Sequence, residues 1–454
     1  MKGESQEMLI QNVDYLIRDA DRIELGVDLL IEGNRIREIS KSSGVQVRSS
    51  MEIIDGTGMI AMPGFVNTHT HCYQSLLKGV RDDLGLKQWC EQVTFPFASI
   101  IHKEERETDH PRLGYLWSML GAMEMVRSGI TAFVDMDMNQ EGVLQAWDDL
   151  GVRGTLGLQL VNRWVPPELM IPDELRKKRA LKLIEKWHGQ GLLQVAMAPS
   201  TAFACTPEFL TWIRQTAERL DLSIHIHVNE TRWELEQARA ETGMTPIGYL
   251  ESLGFFNRPV NAVHCVHVTD HDVEILKNRS LRVIYNPKSN AKLGSGIAPV
   301  PRFLEMGIPV AIATDGSASN DTNDMFEEMR FGQLIQKAYR EDPRALSVKD
   351  VYRMATEEGA RTVNLEMGRL DEGSLADVVL VRRKTSHMEP IHDLLQTVFY
   401  CSKAPDVDTV IIDGKIVLKN GEMLTVSEGE IIEEAIEKMK TIGYELEGEL
   451  SASF

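Results

Sequence analysis

Apolar and polar residues alternate in short runs at both ends of the chain and follow a longer rhythm between them. From Glu7 to about Ile60, runs such as Met8–Ile10 and Val27–Ile36 alternate around Gly-Asn turns and predict a small antiparallel sheet. From Gly64 to about Thr362, short apolar stretches are separated by long amphipathic ones, the texture of repeated βα units feeding a parallel sheet. The strand candidates are Gly64–Asn67, Thr131–Met136, Val152–Gln159, Gln194–Pro199, Ser223–Val228, Ala262–Val266, Leu281–Tyr285 and Val310–Thr314. Helical patterns such as Arg112–Ser128, Pro207–Leu220 and Asp324–Tyr339 lie between them. Eight such units suit a (β/α)8 barrel, and a doubly wound sheet has similar periodicity. The short rhythm returns in Ala376–Val381 and Val407–Leu418, the latter containing Asp413-Gly414 as a hairpin turn, and Ile431–Lys440 has helical spacing. The expected fold is α/β: a TIM barrel over 63–365, with a small composite β-sheet domain, of β-sandwich type, formed from 1–62 and 366–454 and ending in a terminal helix.

Composition narrows the class. The chain has 454 residues, 43% of them hydrophobic and 26% charged, with a net charge of −19, values of a globular protein large enough for a main domain and a second module. No apolar run approaches the ~18 residues of a membrane span. An acidic chain lacks the basic surface that nucleic acid requires, so neither membrane nor nucleic acid is an expected partner. Met1–Glu7 has no basic-then-apolar leader pattern, which makes the expected compartment cytoplasmic. Five scattered cysteines (Cys72, Cys90, Cys205, Cys265 and Cys401) form neither a disulfide framework nor a CxxC metal site.

The candidate chemistry gathers at strand ends. Residues i and i+2 of a strand share a side, so His69 and His71 in Thr68-His69-Thr70-His71 can present two imidazoles to one point, at the end where barrel enzymes build their sites. His227 closes the fifth strand, His264 the sixth, and Asp315 follows the eighth. These residue types at one end of four strands suit a borderline divalent metal and a water that it activates. His225 is assigned to the opposite face from His227, toward the helices, as a structural imidazole, and His267 likewise. Cys72 is expected to point away from His71 as a small core residue. His102, His110, His188, His271, His387 and His392 carry no supporting pattern.

Pro63–His71, His227-x-x-Glu230, His264–His267, Asn286–Asn290 and Thr314-Asp315-Gly316 together resemble the amidohydrolase superfamily, in the branch of methylthioadenosine and S-adenosylhomocysteine deaminases, guanine deaminase and the triazine hydrolases. Ser289–Pro301, with Ser319-Asn320-Asp321, is especially similar to atrazine chlorohydrolase and melamine deaminase. The resemblance implies one divalent ion, Zn2+ or else Fe2+, held by His69, His71, His227 and Asp315. Ala198-Pro199-Ser200 stands where dinuclear members carry a bridging lysine. A bound cation can lower the pKa of water from about 15.7 to roughly 7. Asp315 then takes the water's proton, Glu230 shuttles a proton to the ring nitrogen and the leaving amine, and His264 orients the water.

The resemblance also bears on the substrate, an N-heterocyclic small molecule. Trp89 matches the tryptophan that covers the purine in nucleoside deaminases, and Ser200, Ser319 and Glu230 complete the candidate substrate contacts. The ribose-gripping glutamate is missing at its expected place, Phe97 or Ala98, and Ala198-Pro199-Ser200 replaces a Gly-Pro-His contact, so a smaller or less polar ring is favoured. The expected reaction is hydrolytic removal of an amino or alkylamino group. The alternatives are loss of chloride from a triazine and deamination of adenosine, methylthioadenosine or S-adenosylhomocysteine. Family members are commonly homo-oligomers, and a dimer or larger assembly is expected.

Overall fold

The computed structural model describes residues 7–42, 44–49, 51–107, 112–138 and 140–452, so His110 and the stretch before Glu7 lie outside the described residues. Parallel strands run in chain order as Phe65–His71, Ile130–Asp137, Arg153–Leu160, Leu193–Pro199, Ile224–Val228, Val260–His264, Arg282–Tyr285 and Val310–Ile312, the last resuming at Asp315–Gly316. Each pairs with the next, and Asp315–Gly316 pairs with Thr70 and His71 of the first. Only Ala313 and Thr314 separate the strand at one edge of this sheet from the pair at the other, so the sheet closes on itself. Side chains reinforce the seam: Asn67 Nδ2 donates to Thr314 Oγ1 at 2.7 Å and Thr68 Oγ1 to the Ile312 carbonyl at 3.0 Å. This is the eight-stranded barrel, since a doubly wound sheet leaves open edges.

Strands buried on both faces read as continuous apolar runs, and Ile130–Asp137 is buried throughout. The first strand is the exception. Expected to stop at Asn67, it runs to His71 with every residue buried, because its threonines and histidines find hydrogen-bond partners inside the barrel in place of water. Helices Arg112–Arg127, Pro207–Leu220 and Met325–Arg340 follow the amphipathic pattern. Thr206 and Asp324 cap two of them by accepting N–H bonds from the first turn.

The remaining strands form one continuous hydrogen-bonded sheet drawn from both chain ends. Met59–Pro63 lies between Glu7–Ile17 and Val378–Arg382, and Val407–Ile412, Lys415–Lys419 and Glu422–Met423 extend the far edge. The expected antiparallel N-terminal sheet is mixed: Ile23–Glu32 and Arg35–Lys41 are antiparallel, but Glu52–Asp55 and Met59–Pro63 pair parallel to Glu7–Ile17. Alternation of apolar residues fixes which face is buried and leaves strand direction open. Asp413 (φ 54°) and Gly414 (φ 74°) make the two-residue hairpin turn. This sheet has its own core, including Met8, Val13, Leu29 and Val378. It is tied to the third barrel strand by Arg153, whose Nε lies 3.0 Å from Asp377 Oδ2 and whose Nη2 lies 2.6 Å from Asp413 Oδ1. The C-terminal helix spans Glu428–Ala452, well beyond the Ile431–Lys440 repeat. No helix among the described residues is long and apolar enough to cross a membrane.

Candidate active site

The C-terminal ends of the first, fifth, sixth and eighth strands bring His69, His71, His227, His264 and Asp315 together. His227 Nε2 lies 3.1 Å from His69 Nε2 and 3.3 Å from His71 Nε2, while Asp315 Oδ1 lies 3.3 Å and 3.4 Å from those two nitrogens. His71 Nδ1 donates to the Met136 carbonyl at 2.6 Å and His227 Nδ1 to the Ser200 carbonyl at 2.7 Å. A carbonyl only accepts, so both rings carry their proton on Nδ1 and turn a bare Nε2 inward. Bare nitrogens facing each other at 3.3 Å repel unless a cation lies between them. Three imidazoles, two of them with fixed tautomers, and one carboxylate oxygen aimed at one point therefore fit a divalent metal ion. His69, His71 and His227 form one group able to hold such an ion, and His69, His264 and Asp315 a second, overlapping one.

The local backbone is bent to make this convergence. His264 (φ 74°), Cys265 (φ 48°) and Asp315 (φ 61°) adopt the left-handed conformation at non-glycine residues, which costs roughly 1–3 kcal/mol each and is held by the surrounding packing. Burial drives the His69 and His227 rings to the neutral form. Burial alone would raise the Asp315 carboxyl, but its hydrogen bond with the His69 ring, then the neighbouring His264 and His71 rings, hold it well below the usual carboxylate range. Its Oδ2 accepts from Ser289 Oγ at 2.7 Å and its Oδ1 from the Gly316 N–H at 2.9 Å.

Glu230 and His264 stand beside this group. Glu230 Oε2 is 3.5 Å from His264 Nε2, and Oε1 accepts from Ser295 Oγ at 2.9 Å. Burial, then the negative charges of Asp315 and Glu234, push the Glu230 carboxyl well above its ordinary value, which favours its protonated form. His264 Nδ1 receives the amides of Asn290 at 2.9 Å and Asn286 at 3.2 Å. That leaves its proton on Nε2, pointing between Glu230 and Asp315 Oδ2, which lies 3.9 Å away. Burial drives this imidazole down to about 3, so it is a neutral donor.

A cavity of about 300 Å³ opens over the group and is lined by all four expected substrate contacts, Trp89, Ser200, Glu230 and Ser319. Trp89 ends a short helix that widens into a π turn, Cys90–Thr94, before Phe95–Glu107, and this widening turns Trp89, Cys90, Thr94, Phe95 and Ala98 all toward the cavity. Phe97 is fully buried in the core. The lining also includes an apolar set, Phe95, Trp164, Leu169, Ile171 and Phe203, here called the apolar arm. Trp164 (φ 51°) packs on Phe203 and Phe95 with ring centroids 4.9 Å and 5.3 Å away. Arg176, Arg179 and His102 also line the cavity, and none of them had a sequence signal.

Two expectations about bystanders divide. Cys72 is a buried core residue, as anticipated, with its N–H donating to Asp135. His225 does not face the helices. It is two residues from His227 and therefore on the same face, where its Nε2 lies 3.0 Å from His69 Nδ1. The rule that places His69 and His71 on one side would have found it. Asn286, Ser289, Asn290 and Ser295 fall within recognisable motifs, but their roles as partners of His264, Asp315 and Glu230 emerge only from the folded contacts.

With this geometry in hand, the chain can be set beside known proteins. It is 39% identical over 436 residues to a 5-methylthioadenosine/S-adenosylhomocysteine deaminase of Carboxydothermus hydrogenoformans, covering 94% of this chain and 98% of that one. An adenosine deaminase of Xanthomonas campestris, solved with bound zinc, superposes with a TM-score of 0.89 at 26% identity, covering 97% and 99% of the two chains. An atrazine chlorohydrolase of Arthrobacter aurescens complexed with zinc superposes with a TM-score of 0.87 at 23% identity, over 94% and 99%, and shares the fold. The sequence profile of the amidohydrolase family, a family of metal-dependent hydrolases, matches residues 60–417. The chain belongs to the amidohydrolase family.

Proposed function

We propose that this protein is a metal-dependent aminohydrolase that replaces an amino or alkylamino group on an N-heteroaromatic ring by oxygen, releasing ammonia or an amine. The observation that carries it is the convergence of three Nε2 atoms and Asp315 Oδ1 at 3.1–3.4 Å beside the buried carboxyl of Glu230. His69, His71, His227 and Asp315 would hold a single ion, and zinc suits their N3O donor set. Such an ion supplies the Lewis acidity that makes water nucleophilic near neutral pH.

The remaining work falls to side chains. Asp315 accepts the proton released by the attacking water. Glu230 gives its proton to the ring nitrogen beside the attacked carbon. It then takes up the proton that the added hydroxyl loses as it becomes the oxo group, passes it to the departing amine, and is reset by the proton held on Asp315. His264 donates from Nε2 to the attacking oxygen and keeps it aimed. Trp89 covers the face of a flat ring, Ser200 and Ser319 offer hydroxyls to its edge, and the apolar arm takes a weakly polar substituent. Departing chloride would need no proton, so Glu230 favours amine loss over dehalogenation.

A second substrate reading, an adenosine-type nucleoside, draws support from the 39% identical deaminase. Against it, the glutamate that grips the ribose hydroxyls in such deaminases has no counterpart at Phe97 or Ala98, and Phe97 is buried in the core. The test is ammonia release from zinc-loaded protein with aminotriazines, aminopyrimidines, guanine, adenosine and methylthioadenosine, and chloride release from atrazine. Turnover of the aminated rings that disappears on chelation and returns with zinc is expected. Chloride release without ammonia, or activity that survives complete metal removal, would overturn the assignment.

A further inference from the structure

His71 and His227 are anchored to backbone carbonyls that can only accept, and His69 is anchored differently. Its Nδ1 faces Nε2 of a second imidazole, His225, at 3.0 Å, with ring centroids 5.1 Å apart and planes inclined by 24°. His225 is fully buried, and its other nitrogen, Nδ1, is buried without a partner among the described residues. An imidazole nitrogen can donate or accept, so this pair has two neutral arrangements. In one, His225 Nε2–H donates to His69 Nδ1, and His69 Nε2–H points at Asp315 Oδ1, 3.3 Å away. In the other, His69 Nδ1–H donates to His225 Nε2, His225 carries its proton on Nδ1, and His69 Nε2 is bare.

The first arrangement leaves only a lone pair unsatisfied, whereas the second buries an N–H donor with no acceptor, an unfavourable but bearable state. A metal ion at His69 Nε2 requires the second. We propose that His225 is a positioning residue that readies His69 for the metal by exchanging tautomer with it. On loading, the His225 Nε2 proton crosses the 3.0 Å hydrogen bond to His69 Nδ1. The proton leaving His69 Nε2 is replaced, through solvent exchange, by one on His225 Nδ1. The pair holds two protons before and after, so it admits the ion without a net proton loss, and His71 and His227 need no such change.

This rests on the assignment of His69 as a ligand, and the experiment separates the two. Full-length protein with ring-15N histidine is stripped by chelator, then loaded with one equivalent of zinc, and long-range 15N–1H spectra report each ring's tautomer. The expected result is His225 and His69 passing from Nε2–H to Nδ1–H on loading, with His71 and His227 Nδ1–H throughout. Zinc binding that leaves His225 in the Nε2–H form overturns the exchange; failure of zinc to bind, or to shift His69, overturns the ligand assignment and the exchange with it. Zinc affinity by competition with a fluorescent chelator gives a second readout. His225→Leu should weaken it by about 10- to 100-fold. His225→Gln, whose amide oxygen can accept from His69, should recover most of that loss. An undiminished affinity in His225→Leu, with metal-free melting like the wild type, also overturns the proposal, and the wild-type spectra decide it if that variant does not fold.

Discussion

Replacing Glu230 by glutamine keeps the shape of the side chain and removes its capacity to give and take a proton. The Glu230→Gln side chain would keep an oxygen for Ser295 Oγ, which now donates to Glu230 Oε1 at 2.9 Å, and the backbone N–H at this position would still reach Glu234, 2.7 Å away. Metal content should be unchanged, because the four-atom group is made without Glu230. A positioned general acid–base group contributes about 10²- to 10⁴-fold. Two neighbours could in principle stand in. Glu234 is tied to the Glu230 N–H, and His264 is a neutral donor that titrates at about 3 and has no proton to spare near neutrality. Glu234 titrates at about 7 and has only one oxygen tied, so the loss is expected across that range, about 10²- to 10⁴-fold in kcat, or about 3–5 kcal/mol of transition-state stabilisation. The assay is steady-state ammonia release at matched zinc occupancy, with metal analysis of the same sample. Turnover within about threefold of wild type at equal zinc would refute the shuttle. A large loss of zinc would show instead that Glu230 helps to hold the ion.

Removing the metal by chelation should abolish ammonia release and lower the melting temperature, and one equivalent of zinc should restore both; a melting curve indifferent to zinc would argue against binding at the native site. Arg153→Met strips the cation from Asp377, whose side chain is 1% exposed, and should cost about 3–5 kcal/mol in urea unfolding, against less than about 1 if the bridge were dispensable. Glu234 is pushed up to about 7 by burial from its usual 4.5, so the folded state binds more protons between these values, and stability falls as pH rises through that window, by about 3 kcal/mol in all. Glu234→Gln should flatten that part of the metal-free stability profile, and an unchanged slope would place the titration elsewhere. Trp164→Ala should raise KM for substrates with a bulky apolar substituent by about tenfold while leaving unsubstituted rings within about twofold, as expected for lost burial of a few methylene groups; equal effects on both would remove the arm from substrate contact.

Much of the catalytic end was legible in the sequence because it depends on strand ends. His69, His71, His227, His264 and Asp315 each terminate an apolar run, and a barrel puts all such termini on one rim. The first strand was harder to delimit, since its apolar run stops at Asn67 and only the barrel interior shows how Thr68 to His71 continue it. His225 shows a different failure: the two-residue period was available, but a histidine without an obvious ligand role was sent outward. The return of the short rhythm after the barrel did indicate that both chain ends share one sheet, whereas strand direction at the N-terminus rests on pairings between residues remote in sequence, which periodicity does not encode. The apolar arm was invisible for the same reason. Phe95, Trp164 and Phe203 come from three separate connections, and the π turn at Cys90–Thr94 has no compositional signature.

Met59–Pro63 runs directly into the strand that bears His69 and His71, and its neighbour, Val378–Arg382, is made only after the whole barrel has been synthesised. The earliest strands of the growing chain must therefore wait, with an apolar face uncovered, for the last ones to arrive. Truncation from the C-terminal side would then leave the strand leading into the catalytic rim without its flanking partner, so damage far from the pocket would be felt at the histidines.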